Sequence, residues 1–384
     1  MIQLKNTMQP QLRKHLYEKA VRNKTPINGG FELTPRCNMN CRMCYIRMSQ
    51  EEMEVRGREF TAEEWIEMGR ICADQGMLFL LLTGGEPFLR KDFRQIYTEL
   101  KKLGLIISIN TNGTMIDEET VEWLRQDPPS RINVTLYGGS NETYRRLCMH
   151  PTGYDAATKA IDLLQKAGIY VSINASFTKY NVEDMDAIYA FAKNRGLKVS
   201  AETYMFPPVR SAKEGAVDEV VRFTPEEAGQ ARAKAELNGM TEKESAFRLK
   251  ALHAGRNEFM CGDEDCTRTP DEKMGCMAGR SSFWITWDGR MTPCGMMNEP
   301  VARPFETGFP EAWKIICEET DQILLPPACK DCKKRFACVI CGALSIAEGH
   351  GDSTKKPEYL CKQTEVFLDE MEQEYQRRQT AESI

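Results

Sequence analysis

The chain has 384 residues, 41% hydrophobic and 28% charged, with 51 basic against 56 acidic side chains and a formal net charge of −5. That near balance excludes the basic footprint expected of a nucleic-acid binder or of a protein held on an anionic membrane. No signal-peptide pattern opens the sequence, and the longest apolar run, Met77–Leu82, is far too short to span a bilayer, so a cytoplasmic protein is expected.

Residues 1–29 read as an N-terminal helical segment. Over residues 30–210, strand-like and helix-like segments alternate. Buried parallel strands are predicted over Gly30–Thr34, Leu78–Thr83, Leu105–Asn110, Ile132–Tyr137, Tyr170–Ala175 and Lys198–Tyr204. Between them, Thr61-Ala62-Glu63-Glu64 is a capping-box start, followed by Trp65, Met68 and Cys72 on one helical face. Further helices are predicted over Arg90–Leu103, Asp117–Arg125, Tyr154–Ala167 and Val182–Arg195. Six strand–helix units imply parallel strands with right-handed crossovers, an α/β partial (β/α)6 barrel with one open side. Residues 211–260 shift to Ala, Glu and Lys and read as a helical linker, with Thr224-Pro225-Glu226-Glu227 as a strong helix start. Residues 261–361 crowd cysteines between polar turns, as in a unit stapled by metal. Residues 362–384 form a polar C-terminal helix and tail.

The 15 cysteines are the unusual feature, because disulfides are rare in the cytosol and clustered cysteines there argue for metal or redox chemistry. Cys37, Cys41 and Cys44 follow the first strand directly, where barrel loops carry chemistry. A [4Fe–4S] cluster takes four thiolates. Three leave one iron open, as three protein ligands leave a catalytic metal its substrate position. A zinc knuckle would want a fourth ligand, and neither histidine nor a second cysteine pair lies near Cys37. The next strand ends in Gly84-Gly85-Glu86-Pro87, where glycines permit close backbone approach. Together these motifs resemble the CxxxCxxC and GGEP signatures of the radical S-adenosylmethionine (SAM) superfamily, whose barrel is TIM-like.

The resemblance implies that Met43 packs on the SAM adenine, and that the Gly84–Pro87 backbone and Glu86 hold its amino group. Met43 departs from the aromatic residue common at that position. Thr135, on a strand resembling the family's Ser-Leu-Asp-Gly strand, would face the ribose or carboxylate. Arg146, or its neighbour Arg145, would neutralise that carboxylate. Asn174 would lie near the ribose.

Cys276, Gly289, Cys294, Cys329, Cys332, Cys338, Cys341 and Cys361 resemble the SPASM extension, which carries two auxiliary [4Fe–4S] clusters in many radical SAM enzymes. The two-residue gap between Cys338 and Cys341 departs from the usual three. Two full clusters need eight thiolates. The motif supplies seven, so Cys266 is the expected eighth, with Cys261 as the other candidate. The family's interleaving implies one cluster on Cys266, Cys276, Cys294 and Cys341, and another on Cys329, Cys332, Cys338 and Cys361. Structural zinc is the competing reading for these pairs. Cys72 and Cys317 read as small core residues. Cys148 reads as packed near the active-site rim, or as a hydrogen-atom donor there.

The implied cofactors are SAM and three [4Fe–4S] clusters, one binding SAM and two auxiliary. The implied reaction is one-electron cleavage of SAM to a 5′-deoxyadenosyl radical that removes a substrate hydrogen. The leading expectation is maturation of a ribosomally made peptide by a thioether or carbon–carbon crosslink, or by epimerisation. A flavodoxin- or ferredoxin-type protein would supply the electron. Only 36 residues precede Cys37, too few for a winged-helix leader-binding domain, so a separate protein is expected to hold the leader. The alternatives are a small-molecule enzyme acting on tetrapyrroles, a sulfatase maturase, and a non-catalytic zinc or iron–sulfur binding protein. The sulfatase reading is disfavoured because Gly295 stands where those relatives carry a catalytic aspartate.

Overall fold

A computed structural model describes residues 9–207, 221–256 and 273–382. The strands are β1 (Asn28–Glu32), β2 (Phe79–Thr83), β3 (Ile106–Thr111), β4 (Arg131–Thr135), β5 (Val171–Ser176), β6 (Val199–Glu202), β7 (Ser282–Ile285) and β8 (Met291–Thr292). They form one sheet in the order β6-β5-β4-β3-β2-β1-β7-β8. Strands β1 to β6 pair in parallel, each neighbouring the next in sequence, as right-handed strand–helix units require. The fold is therefore the expected open α/β barrel.

Alternation along the strands explains its two faces. Ile107, Ile109, Ile132, Val134, Val171 and Ile173 are all at most 1% exposed and belong to one hydrophobic core. Their alternates are polar: Asn110, Asn133 and Thr135, then Ser172, Asn174 and Ser176. Successive side chains on a strand point to opposite faces, so one face of β3–β5 packs in the core while the other carries amides and hydroxyls. Asn133 donates to Asn110 Oδ1 at 2.7 Å and accepts from Ser172 at 2.6 Å, which satisfies these polar groups across three strands. The capping box expected at Thr61 forms with Glu64, and the one at Thr224 forms with Glu227 behind Pro225 in the first turn.

The cysteine-rich region also extends the barrel sheet, which the sequence reading does not anticipate. Strand β7 lies parallel to β1, with Gly30 opposite Trp284, and β8 returns antiparallel. Two glycines in β1 make room for this neighbour. A Cβ at Gly30 would stand 2.4 Å from the Trp284 ring, and one at Gly29 would stand 2.7 Å from Phe283. Trp284 also donates to buried Glu32 at 3.1 Å. Replacing Gly30 by Ala is expected to destabilise the fold by about 1–3 kcal/mol through overpacking. Denaturant unfolding of the variant checks this.

The C-terminal helix, Glu358–Glu382, is more than a polar tail. Leu360, Phe367 and Met371 are buried. The helix packs against Pro225–Asn238 so closely that a Cβ at Gly229 would meet the Gln363 carbonyl at 2.7 Å. The helix Asn141–Cys148 is likewise unanticipated, because eight residues offer too short a run for its period to register. No helix among the described residues is long and apolar enough to cross a membrane.

Candidate active site

A cavity of about 870 Å³ opens at the carboxyl ends of the barrel strands. Cys37, Cys41, Met43 and Cys44 line it, together with Gly84, Gly85, Thr135 and Asn174. Most of the expected site residues thus converge on one space.

The loop carrying the three cysteines is held from two sides. On one side the β2 loop docks onto it. Gly85 donates to Thr34 O at 2.7 Å, and Glu86 N donates to Arg36 O at 2.8 Å. This contact explains the glycine pair: a Cβ at Gly84 would lie 2.5 Å from Thr34 O, and one at Gly85 would lie 2.3 Å from Arg36 O. On the other side, the end of the helix Asn141–Cys148 receives hydrogen bonds from Asn40 N (to Cys148 O, 2.9 Å) and Arg42 N (to Leu147 O, 3.0 Å). Two of the sulfurs receive N–H bonds. Cys37 Sγ accepts from Met39 N at 3.4 Å and from Asn112 Nδ2 at 3.6 Å, and Cys44 Sγ accepts from Arg47 N at 3.2 Å.

Burial pushes the Cys37 thiol up to about 12 and the Cys44 thiol up to about 11. Buried thiols of this kind ionise only when a cation compensates the charge.

Glu86, Pro87 and Arg146 lie elsewhere. Glu86 is fully buried and is not on the cavity wall. Its carboxylate accepts from Thr111 Oγ1 at 2.8 Å, Asn112 N at 2.8 Å and Phe88 N at 3.2 Å. It braces the β3 loop whose Asn112 reaches Cys37 and Asn38. Pro87 begins a buried 3₁₀ turn, Pro87–Leu89. The Arg146 side chain is 49% exposed, with Glu142 at 3.7 Å. Asn112, Tyr137, Glu202 and Arg232 line the cavity without having been singled out by sequence reading. Only Asn112 carries a local signal, the turn dipeptide Asn112-Gly113.

Residues 31–192 match the family model described as the radical SAM superfamily. Over that stretch the chain is similar to the superfamily. It is similar to the AdoMet-dependent heme synthase of Methanosarcina barkeri, 28% identical over 342 residues, covering 86% of this chain and 94% of that protein. In fold it is similar to anSMEcpe solved with bound AdoMet, at TM-score 0.66 and 16% identity, covering 93% of this chain and 99% of that one. It also resembles Streptococcus suis SuiB bound to its precursor peptide SuiA, at TM-score 0.63 and 17% identity, covering 92% and 81%.

A radical SAM enzyme requires an iron–sulfur cluster, and this loop suits one. Among the described residues, no group of three or more His, Cys, Asp and Glu is gathered tightly enough to hold a single metal ion. Three thiols spread along one wall, with N–H groups aimed at the sulfurs of Cys37 and Cys44, fit the corners of a cubane better than one small ion.

The later cysteines fall into two neighbourhoods. Cys329 and Cys338 pack, together with Cys341, against one small core formed by Tyr204, Ile340, Leu344 and Leu360. Cys294 and Cys341 pack against a second small core with Met274 and Met297. Cys276 is exposed, and Cys341 also lines the cavity. Cys261 and Cys266 lie outside the described residues.

Burial raises Glu86 to about 7 against the pull of its hydrogen-bond donors. The folded protein therefore keeps a proton that the unfolded chain has released between about pH 4.5 and 7. Stability from this group falls as pH rises through that window and levels off above it. In Glu86→Gln that slope should be lost, so that it appears as the difference between parent and variant, and melting curves from pH 5 to 8 test this.

Proposed function

We propose that this radical SAM enzyme matures a peptide, using a SAM-binding [4Fe–4S] cluster on Cys37, Cys41 and Cys44. When bound, the cluster and SAM supply reductive sulfonium cleavage and abstraction of a hydrogen atom from an unactivated carbon. Met43, Gly84, Gly85, Thr135 and Asn174 would cradle SAM, since they share the cavity wall with the cysteines. Glu86 would act indirectly, by holding Asn112 against the loop. Two auxiliary clusters are proposed, on Cys329, Cys332, Cys338 and Cys361 and on Cys276, Cys294, Cys341 and Cys266. A flavodoxin- or ferredoxin-type donor would deliver the electron, and a separate protein would hold a leader peptide.

The charge of the cavity carries the choice of substrate. Among the described lining residues, Arg232 is the one basic side chain, and it shares the wall with Glu202 and Glu236. Arg232 already donates to Ala337 O at 2.8 Å. A tetrapyrrole with several carboxylates asks for several guanidinium or ammonium partners. A peptide segment, largely neutral along its backbone, suits this wall. The SuiB structure with its precursor peptide fits the same reading.

The similarity to heme synthase across nearly its whole length favours a second reading, decarboxylation of a tetrapyrrole side chain. Co-expression with a short reading frame beside the gene, followed by mass spectrometry, separates the two. Loss of two hydrogens, or a mass unchanged in ordinary water with uptake of a single deuterium in heavy water, supports peptide maturation. Loss of carbon dioxide from an added iron porphyrin carboxylate, with no change in the peptide, overturns it.

A further inference from the structure

Arg232 lies on the helix Pro225–Asn238 and reaches the cavity wall. Its guanidinium is held by the C-terminal part of the chain rather than by a carboxylate. Arg232 Nη2 donates to Ala337 O at 2.8 Å, and the guanidinium carbon stands 3.8 Å from the centre of the Phe367 ring. Its Nη1 is buried and finds no acceptor. Glu236, one turn further along the helix, pairs with Arg248 instead. A charge taken out of water needs an opposite charge nearby.

Five arginines among the described residues leave a side-chain nitrogen buried without an acceptor: Arg47, Arg222, Arg232, Arg290 and Arg335. Two of them have carboxylates, Glu348 for Arg222 and Asp288 for Arg290. The other three form no ion pair among the described residues, and all three sit at cysteine loops. Arg47 N donates to Cys44 Sγ at 3.2 Å. Arg335 lies between Cys332 and Cys338 in the chain, and Cys338 N donates to its carbonyl at 3.3 Å. Arg232 is bonded to Ala337, the residue before Cys338. A thiolate-bound iron–sulfur cluster is an anion of the kind these guanidinium groups call for.

We propose that Arg232 is the charge partner of the auxiliary cluster on Cys329, Cys332, Cys338 and Cys361, and that it raises the reduction potential of that cluster. The inference rests on the reading of those four cysteines as ligands of one cluster. A cluster held by four thiolates is anionic, and reduction adds one more negative charge. A fixed cation nearby favours the reduced form, most of all where water is excluded. A guanidinium keeps its proton, so this charge is permanent. Arg335, in the turn between two of the ligands, adds to the same field. An arginine that only packed against Phe367 would leave the potential alone.

The test uses the full-length reconstituted protein, with Arg232→Gln and Arg232→Lys. Iron per chain is measured, and the EPR signals that do not respond to added SAM are titrated against potential. Arg232→Gln is expected to load the parent's iron and to move one of these signals to a more negative potential, while the other stays. Arg232→Lys keeps the charge and is expected to stay near the parent. Unshifted signals in fully loaded Arg232→Gln overturn the proposal, as does an equal shift of both. A shift in Arg232→Lys as large as that in Arg232→Gln overturns it too, because the charge is then not what acts. Loss of about four irons in Arg232→Gln overturns it as well, and makes Arg232 a support for cluster assembly. A parent protein with about four irons and no SAM-insensitive signal overturns the ligand assignment itself, and shows it before any substitution at Arg232.

Discussion

Replacing Cys37, Cys41 and Cys44 together by alanine is expected to abolish SAM cleavage while leaving about eight of about twelve irons in the protein. The loss should be complete, because no other described residue offers a thiolate set on the cavity wall. Cys341 lines the same cavity, but it sits in the core shared with Cys294, on the C-terminal side. Cys148 is buried and is not on that wall. The remaining irons report on the second neighbourhoods, around Cys329 and around Cys294. Colorimetric iron analysis and chromatography for 5′-deoxyadenosine check both halves. Retained cleavage would refute the assignment of the trio. A fall to no iron would show that the auxiliary sites need the first cluster in order to form.

Gly85→Ala should be nearly as damaging, although the residue need not touch iron. Its new Cβ would fall 2.3 Å from Arg36 O, and backbone of that kind has no soft end to yield. The bond from Gly85 N to Thr34 O and that from Glu86 N to Arg36 O would both be strained. Arg36 immediately precedes Cys37, so the displacement passes directly into the cluster loop. A shift of about 1 Å in a positioned group is enough to cost about 10²-fold in rate. SAM cleavage is expected to fall by about that factor, with iron content reduced by the share of the first cluster. Wild-type turnover in this variant would show that the loop tolerates the clash. The same geometry revises why the glycine pair is there: it lets two loops touch, whatever it later offers a ligand.

Much of the barrel was legible because its signals are local. Each of the six predicted strands overlaps a real one, since a short apolar run registers within a few residues. The capping box at Thr61 and the helix start at Thr224 formed as read, because a helix start is decided by residues a few positions apart. The misses have a common cause. The helix Asn141–Cys148 is too short for its period to stand out. Strands β7 and β8 span only four and two residues, and β7, on which β8 folds back, pairs with a strand some 250 positions away in the chain, as Gly30 opposite Trp284 shows. No window of sequence contains both partners.

By itself, the sequence determined which residues are able to carry the chemistry. The three cysteines at gaps of three and two residues, proposed here as the incomplete cluster site, stay a set in any fold that keeps the loop together. What only the tertiary structure decided is how that loop is held and what faces it. Glu86 turned away from the cavity into a buried brace, Arg146 stayed half in solvent, and the end of the helix Asn141–Cys148 came to hold the cysteine loop. Each outcome depends on burial and on hydrogen bonds between segments remote in sequence. Desolvation and close approach act through space, and a residue's neighbours along the chain carry no record of them.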